Sequence, residues 1–229
     1  MSPSTHLVTT VPGTLPVVLT CGHDGGQQPP GLEARRRYPF DGWLFPTFST
    51  QRDIKTGMLT DEVAAALTAT LKEPPVIIRA EFGRTWIDVN RERMFAYSGR
   101  AASPFWTEYH RQIRTFVRRL KVGILLDIHG TSIPEADLYL GTVYGASCSW
   151  WITETFARCL MGMGYRVVID HPRLSGGFTV QAHGACNGGL DALQIEVARP
   201  LRLDTDRRLR LAQDLANVVA VGVHGFRKS

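Results

Sequence analysis

The chain has 229 residues, 44% hydrophobic and 21% charged, the balance of an ordinary globular protein long enough to bury a sizeable core. Its net charge of +5 comes from arginines in separate groups, Arg35 to Arg37, Arg118-Arg119, and Arg207-Arg208 with Arg210. Without interleaved aromatics, these argue against a nucleic-acid partner and for a small anionic one. No apolar run approaches the roughly 20 residues that cross a bilayer, so no membrane span is expected. The segment from Met1 to His6 has neither the basic start nor the apolar stretch of a signal peptide, and a cytoplasmic protein is expected. Cys21, Cys148, Cys159 and Cys186 have no CxxC spacing, which argues against a zinc knuckle or disulfide framework and predicts reduced thiols.

In chain order, residues 16–21 read as a first buried strand, followed by a glycine-, glutamine- and proline-rich loop over residues 22–31. Residues 32–59 read as irregular, with Trp43, Phe45 and Phe48 as an aromatic cluster. Thr60, with Asp61 and Glu62, predicts a helix start, because a threonine caps and acidic groups complement the positive end. Val63, Ala66, Leu67 and Leu71 form its apolar face, and Pro74-Pro75 lie beyond its end. A second strand at Val76-Ile77-Ile78 runs on to Arg84, Asp88, Asn90 and Arg91. A helix follows from Ser103 to about Leu120, with Phe105, Tyr109, Ile113, Phe116 and Leu120 on one stripe.

A third strand begins at Lys121-Val122 and ends at His129, and Leu138 to Thr142 reads as a short strand. Trp150 to Met163 reads as a helix stopped by Gly164. Tyr165 to Ile169 is the next strand, a glycine-rich loop covers residues 171–189, and Leu193 to Val197 is the last strand. Asp204 or Thr205 caps a final helix whose face is Leu211, Leu215, Val218 and Val219. Strands alternating with helices predict an α/β fold, a largely parallel sheet covered on both faces. Without a repeat or linker, one domain over residues 1–229 is expected.

Histidines stand where apolar strands end. His23 follows the first strand and His129 the third, each with glycine nearby. In α/β proteins, polar groups at the carboxyl ends of buried strands converge on the ligand crevice. Two imidazoles with a carboxylate suit a catalytic zinc site. Asp24 and Asp53 are the candidate oxygen donors. Glu196 interrupts an apolar strand, where a buried carboxylate needs a partner. A salt bridge with Arg199 and a proton-moving role both explain it. Arg84 and the box Asp88-Val89-Asn90-Arg91 read either as a grip on a substrate carboxylate or as an ion-pair network. The loop with Ser175-Gly176-Gly177 and His183-Gly184 reads as a lid offering backbone N–H groups or as an ordinary loop. His6, His110, His171 and His224 are read as packing or surface groups.

These segments together resemble the N-formylglutamate amidohydrolase family of zinc-dependent amide hydrolases. The resemblance rests on Thr20-Cys21-Gly22-His23-Asp24-Gly25, Asp53 with Thr56, Arg84 with Asp88-Val89-Asn90-Arg91, and Asp127-Ile128-His129. It continues through Leu140-Gly141-Thr142, Pro172 to Gly177, His183-Gly184 and Ala192-Leu193-Gln194-Ile195-Glu196, covering roughly residues 17–202 in order. It implies a three-layer α/β fold like that of zinc carboxypeptidases and phosphorylase/hydrolase-type proteins, with a mixed, mainly parallel sheet. It also implies His23, Asp53 and His129 as metal ligands, Glu196 as general base, and Arg84, Asn90, Arg91, Gly176 and Gly177 around the substrate. Gly26 stands where a carboxypeptidase-like glutamate would follow the histidine. Gly22, Asp24, Arg173-Leu174-Ser175 and Ala198-Arg199-Pro200 also depart from the family pattern. The expected function is zinc-dependent hydrolysis of an amide in an N-acyl amino acid or similar small anionic substrate. A metallopeptidase acting on short peptides or cell-wall fragments, and a noncatalytic binding protein, are the alternatives. Such imidazole–carboxylate sites also accept other divalent ions.

Overall fold

Alternation of side chains along the central strands decides where polar groups collect. The computed structural model describes residues 7–36, 49–120, 123–184 and 190–226. Arg37, the aromatic cluster at Trp43, Phe45 and Phe48, His6, Cys186 and the His224 side chain lie outside the described residues. The elements are β1 (Val8–Val11), β2 (Val17–Cys21), α1 (Thr56–Leu71), β3 (Val76–Ala80), α2 (Arg93–Ala96) and α3 (Ser103–Leu120). They continue as β4 (Ile124–Thr131), β5 (Leu138–Gly141), α4 (Trp150–Gly162), β6 (Val167–Ile169), α5 (Phe178–His183), β7 (Asp191–Ala198), α6 (Arg199–Leu203) and α7 (Thr205–Phe226).

The strands form one seven-stranded sheet in the order β1-β3-β2-β4-β7-β5-β6. β3, β2, β4 and β7 run parallel, while β1 pairs antiparallel with β3 and β5 antiparallel with β7. The fold is therefore the mixed, mainly parallel α/β sheet expected. One face packs Leu59, Val63, Leu67, Ile152, Phe156, Leu211 and Leu215 from α1, α4 and α7 against Val17, Leu19, Leu126 and Ile195. The other packs Phe105, Tyr109, Ile113 and Phe116 of α3, with Val180 of α5, against Val18, Ile78, Leu125 and Ala192. Helices thus cover both faces. Among the described residues, no helix is long and apolar enough to cross a membrane.

On β4, Ile124, Leu126 and Ile128 face the first of these cores. By the period of two, Leu125, Asp127 and His129 face the second. On β7, Leu193, Ile195 and Val197 likewise leave Gln194 and Glu196 on the α3 side. The parallel register sets His129 opposite Glu196 and Asp127 opposite Gln194. The chain passes from β2 to β3 on one side, then crosses back to β4 on the other. The strand order thus reverses between β2 and β4, where an α/β sheet opens a ligand crevice at its carboxyl edge.

Two local expectations are corrected. α1 starts at Thr56, four residues before Thr60. Thr60 is buried inside it and donates its hydroxyl to the Thr56 carbonyl at 2.8 Å. The positive end is complemented by Asp24, whose Oδ2 accepts the Gly57 amide at 2.9 Å. Asp61 and Glu62 instead pair with Arg79 and Arg208. The loop expected over residues 171–189 contains α5, and β1, α2 and α6 were not anticipated. The strand start expected at Lys121-Val122 lies outside the described residues, and the other boundaries agree within a few residues; Gly164 ends α4 with φ +94°, and Asp204 caps α7 through the Arg207 amide.

Candidate active site

His23 lies just beyond β2 and His129 near the end of β4, with ring centroids 4.7 Å apart and planes at 75°. Asp53 stands between them, its Oδ2 3.4 Å from His23 Nδ1 and 3.2 Å from His129 Nδ1. The Gly130 amide donates to the same oxygen at 3.2 Å, and the Asp53 amide is held by the His23 carbonyl. Ligand atoms of all three residues lie within 4.8 Å of one another, and all three residues are buried.

Each imidazole is fixed from behind. His23 Nε2 donates to Asp88 Oδ1 at 2.7 Å, and His129 Nε2 donates to Asp127 Oδ2 at 2.8 Å. Both carboxylates are fully buried, and Thr20 donates to the other Asp127 oxygen at 2.7 Å. With Nε2 occupied, both rings turn Nδ1 toward Asp53. His23 Nδ1 has no hydrogen-bond partner. An unpartnered buried nitrogen beside a second imidazole and a carboxylate offers donors that could hold a divalent metal, so the residues fit the expected ion. Asp24 is committed to the end of α1, so Asp53 is the carboxylate that faces both imidazoles.

The electrostatics agree. Burial alone would raise the Asp53 carboxyl, but the hydrogen bond from His129 and the close imidazoles of His23 and His129 pull it far below the usual range. Burial likewise opposes ionisation of Asp88, and Arg84 and His23 overcome it to hold that carboxyl well below its ordinary value. His129 shows the converse: burial would lower its pKa, yet Asp127 and Asp53 raise it well above normal. The Glu196 carboxyl is pushed up by burial, and Asp53 adds to this while His129 and Arg84 oppose it.

Glu196 makes no salt bridge among the described residues, so the Arg199 pairing is not found. Its Oε1 accepts Gln194 Nε2 at 3.0 Å. Arg84 Nε donates to Asp88 Oδ2 at 2.9 Å, and Arg91 approaches the same oxygen at 3.6 Å. Both arginines pair with a buried carboxylate while lining the cleft. Asn90 also lines it, but its side-chain nitrogen donates to Gln194 Oε1 and its oxygen accepts the Thr179 amide. Gly176 and Gly177 form part of the rim, and the Gly177 amide donates to Gln194 Oε1 at 2.8 Å. The structure therefore brings every expected site residue to one cleft of about 900 Å³.

Sequence reasoning missed the orienting roles of Asp88 and Asp127, the Gln194 hub, and His110. His110 is buried, donates Nε2–H to the Val89 carbonyl and meets His183 Nε2 at 3.0 Å. Burial lowers these imidazoles to about 3 and about 4, so the pair is neutral near pH 7. It braces the Asp88–Arg91 box, as does Trp106 Nε1 on the Arg91 carbonyl. For Asp127 and Gln194 a signal existed: each lies two residues before a candidate site residue and shares its strand face.

A family model described as N-formylglutamate amidohydrolase matches residues 96–203. That stretch holds Asp127, His129, Gln194 and Glu196; His23, Asp53 and Asp88 precede it. No curated protein matches the chain. Among solved structures, the N-formylglutamate amidohydrolase from Ralstonia eutropha JMP134 superposes with a TM-score of 0.71 at 19% identity, covering 96% of this chain and 98% of that one. A gene product from Agrobacterium tumefaciens has the same TM-score at 13% identity, with 96% and 94% covered. A metallo-carboxypeptidase from Burkholderia cenocepacia reaches 0.50 at 13% identity, with 92% of this chain but 57% of that one covered. These likenesses carry the fold, and the family match supports a hydrolase. The family this chain resembles is thus N-formylglutamate amidohydrolase, by sequence over residues 96–203 and by fold over most of its length.

Proposed function

We propose that the chain is a zinc-dependent hydrolase of the amide bond in an N-acyl amino acid or a similar small anionic molecule. The observation that carries this reading is the convergence of His23, Asp53 and His129, each imidazole backed by a buried carboxylate. When bound, the ion supplies polarisation of the acyl carbonyl and a lowered pKa for water. His23 Nδ1, His129 Nδ1 and Asp53 Oδ2 would hold it.

Glu196 then takes a proton from the attacking water and delivers it to the leaving nitrogen. The carbonyl carbon gains an oxygen, the C–N bond breaks, and the products are a carboxylic acid and an amine. Gln194 holds Oε1 of Glu196 and leaves the other oxygen for this exchange. Arg84 and Arg91 grip the substrate carboxylate. Asn90 acts by fixing Gln194 and the start of α5. Free thiols at Cys21, Cys148 and Cys159 accord with a cytoplasmic setting.

The test combines metal analysis of the purified protein with an activity screen, after zinc loading, of N-acyl amino acids and dipeptides. Stoichiometric metal and hydrolysis of an anionic N-acyl amino acid are expected. A protein that takes up no divalent ion and turns over nothing is instead a binding protein. A cleft of about 900 Å³ exceeds one N-acyl amino acid, which favours short peptides and cell-wall fragments as the second reading. Turnover of dipeptides alone decides for it.

A further inference from the structure

Arg202 is a buried cation that the proposed reaction does not use. It sits on α6, just after the strand that carries Glu196, and is 6% exposed. Among the described residues no carboxylate lies within salt-bridge distance of it, and its Nε has no hydrogen-bond partner. A desolvated guanidinium with no carboxylate in contact is unfavourable unless its contacts do something an apolar side chain could not.

Those contacts join the segments that carry Asp53 and His129. One Arg202 terminal nitrogen donates to the carbonyl of Ile54, the neighbour of Asp53, at 2.5 Å. The guanidinium also lies against Gly130, the neighbour of His129. A Cβ at Gly130 would fall 2.5 Å from Arg202 Nε and 2.7 Å from Cζ. The Gly130 amide in turn donates to Asp53 Oδ2. Behind α6, Arg208 donates to the Arg202 carbonyl and pairs with Glu62 of α1, so the helix bearing Arg202 is anchored.

We infer that Arg202 is a positioning residue, a clamp that holds the Asp53–Ile54 segment against the end of β4 and so sets the spacing of the Asp53 and His129 ligand atoms. Gly130 is its counterpart, because any side chain there would displace the guanidinium. This rests on the metal reading above. Arginine suits the task through its planar fork, one edge serving the carbonyl while the flat face covers the glycine.

The experiment titrates metal-free wild type, Arg202→Met, Arg202→Lys and Gly130→Ala with zinc against a chromophoric chelator, and records absorption spectra of the cobalt(II) forms. Arg202→Met is expected to weaken zinc binding about 10- to 100-fold, the usual loss when an outer support of a metal ligand is removed, and to alter the cobalt spectrum. KM at saturating metal is expected to stay within about twofold. Arg202→Lys keeps one donor for the Ile54 carbonyl and recovers part of the affinity. Gly130→Ala keeps the charge yet reproduces the loss, and it decides the matter should Arg202→Met not fold. Wild-type affinity and spectrum in the variants overturn the clamp alone. A raised KM with unchanged metal affinity also overturns it and makes Arg202 a substrate contact. A wild type that binds neither ion removes the metal reading and the clamp together.

Discussion

The imidazole of His23 is held between two carboxylates of different work, Asp88 at Nε2 and Asp53 near Nδ1. Asp88 is also where Arg84, Arg35 and Arg91 converge. Asp88→Asn leaves these guanidinium groups without their shared negative charge. Removing one partner of a buried pair costs about 3–5 kcal/mol, to be measured by urea unfolding at pH 7. The folded-state pKa of Asp88 is depressed. Its contribution is therefore present above the unfolded value of about 4 and lost as pH falls through the lower folded value, so wild type and variant should converge in acid. An unchanged difference would show that the charge of Asp88 is not what stabilises.

Glu196→Gln keeps the Gln194 contact on one oxygen and removes the proton acceptor. A kcat loss of about 10²- to 10⁴-fold with zinc content retained is expected; equal turnover removes Glu196 from the mechanism. Because burial raises the Glu196 carboxyl, wild-type activity should fall as pH drops through a value above the ordinary glutamate range. A rate profile with its acid limb at the ordinary value contradicts that. Glu196 was legible because a carboxylate in an apolar run demands a reason. The role of Asp88 leaves no local mark, because its partner His23 is 65 positions away in sequence.

At the scale of elements, α5 and the Asp88–Arg91 box meet at a junction without spare volume. Gly177 precedes α5, and a Cβ there would fall 2.1 Å from Asn90 Nδ2. Asn90 is tethered by Gln194 and the Thr179 amide, so it is poorly placed to yield. Gly177→Ala should cost about 1–3 kcal/mol, as overpacking does; an unchanged Tm would mean that the rim shifts freely. The central strands, α3, α4 and α7 were readable because each buries a periodic apolar stripe. The start of α1 was not, since Asp24 caps it from a distant turn and Thr60, a capping type, lies inside the helix. β1 carries no such signal either: it is a partly exposed edge strand, without the apolar run that marks a buried one.

At the scale of the molecule, charge is distributed more specifically than the composition implies. Arg52, Arg84, Arg91, Arg173 and Arg199 line the cleft, against Asp53, Glu92 and Glu196, while Arg202, which also borders it, is taken up by the Ile54 carbonyl. Such an excess attracts an anion and is screened by salt. Raising ionic strength from about 0.05 to 0.5 M should raise KM for an anionic substrate several-fold, with kcat little changed. A salt-independent KM would mean that these arginines do not recruit the substrate.

The amino-acid order alone determined that strands and helices alternate, that polar groups stand at strand ends, and which side chains have the chemistry of a metal centre. These are local properties: periodicity, turn residues and the cost of a buried charge act within a few positions along the chain. Only the tertiary structure decided that Asp53 rather than Asp24 faces both imidazoles, that Asp88 and Asp127 set their orientation, and that Arg202 braces the Asp53 segment. Those pairings join residues far apart in sequence. Their geometry follows from strand register, the reversal of strand order between β2 and β4, and the packing of α1, α6 and α7, none of which leaves a local mark.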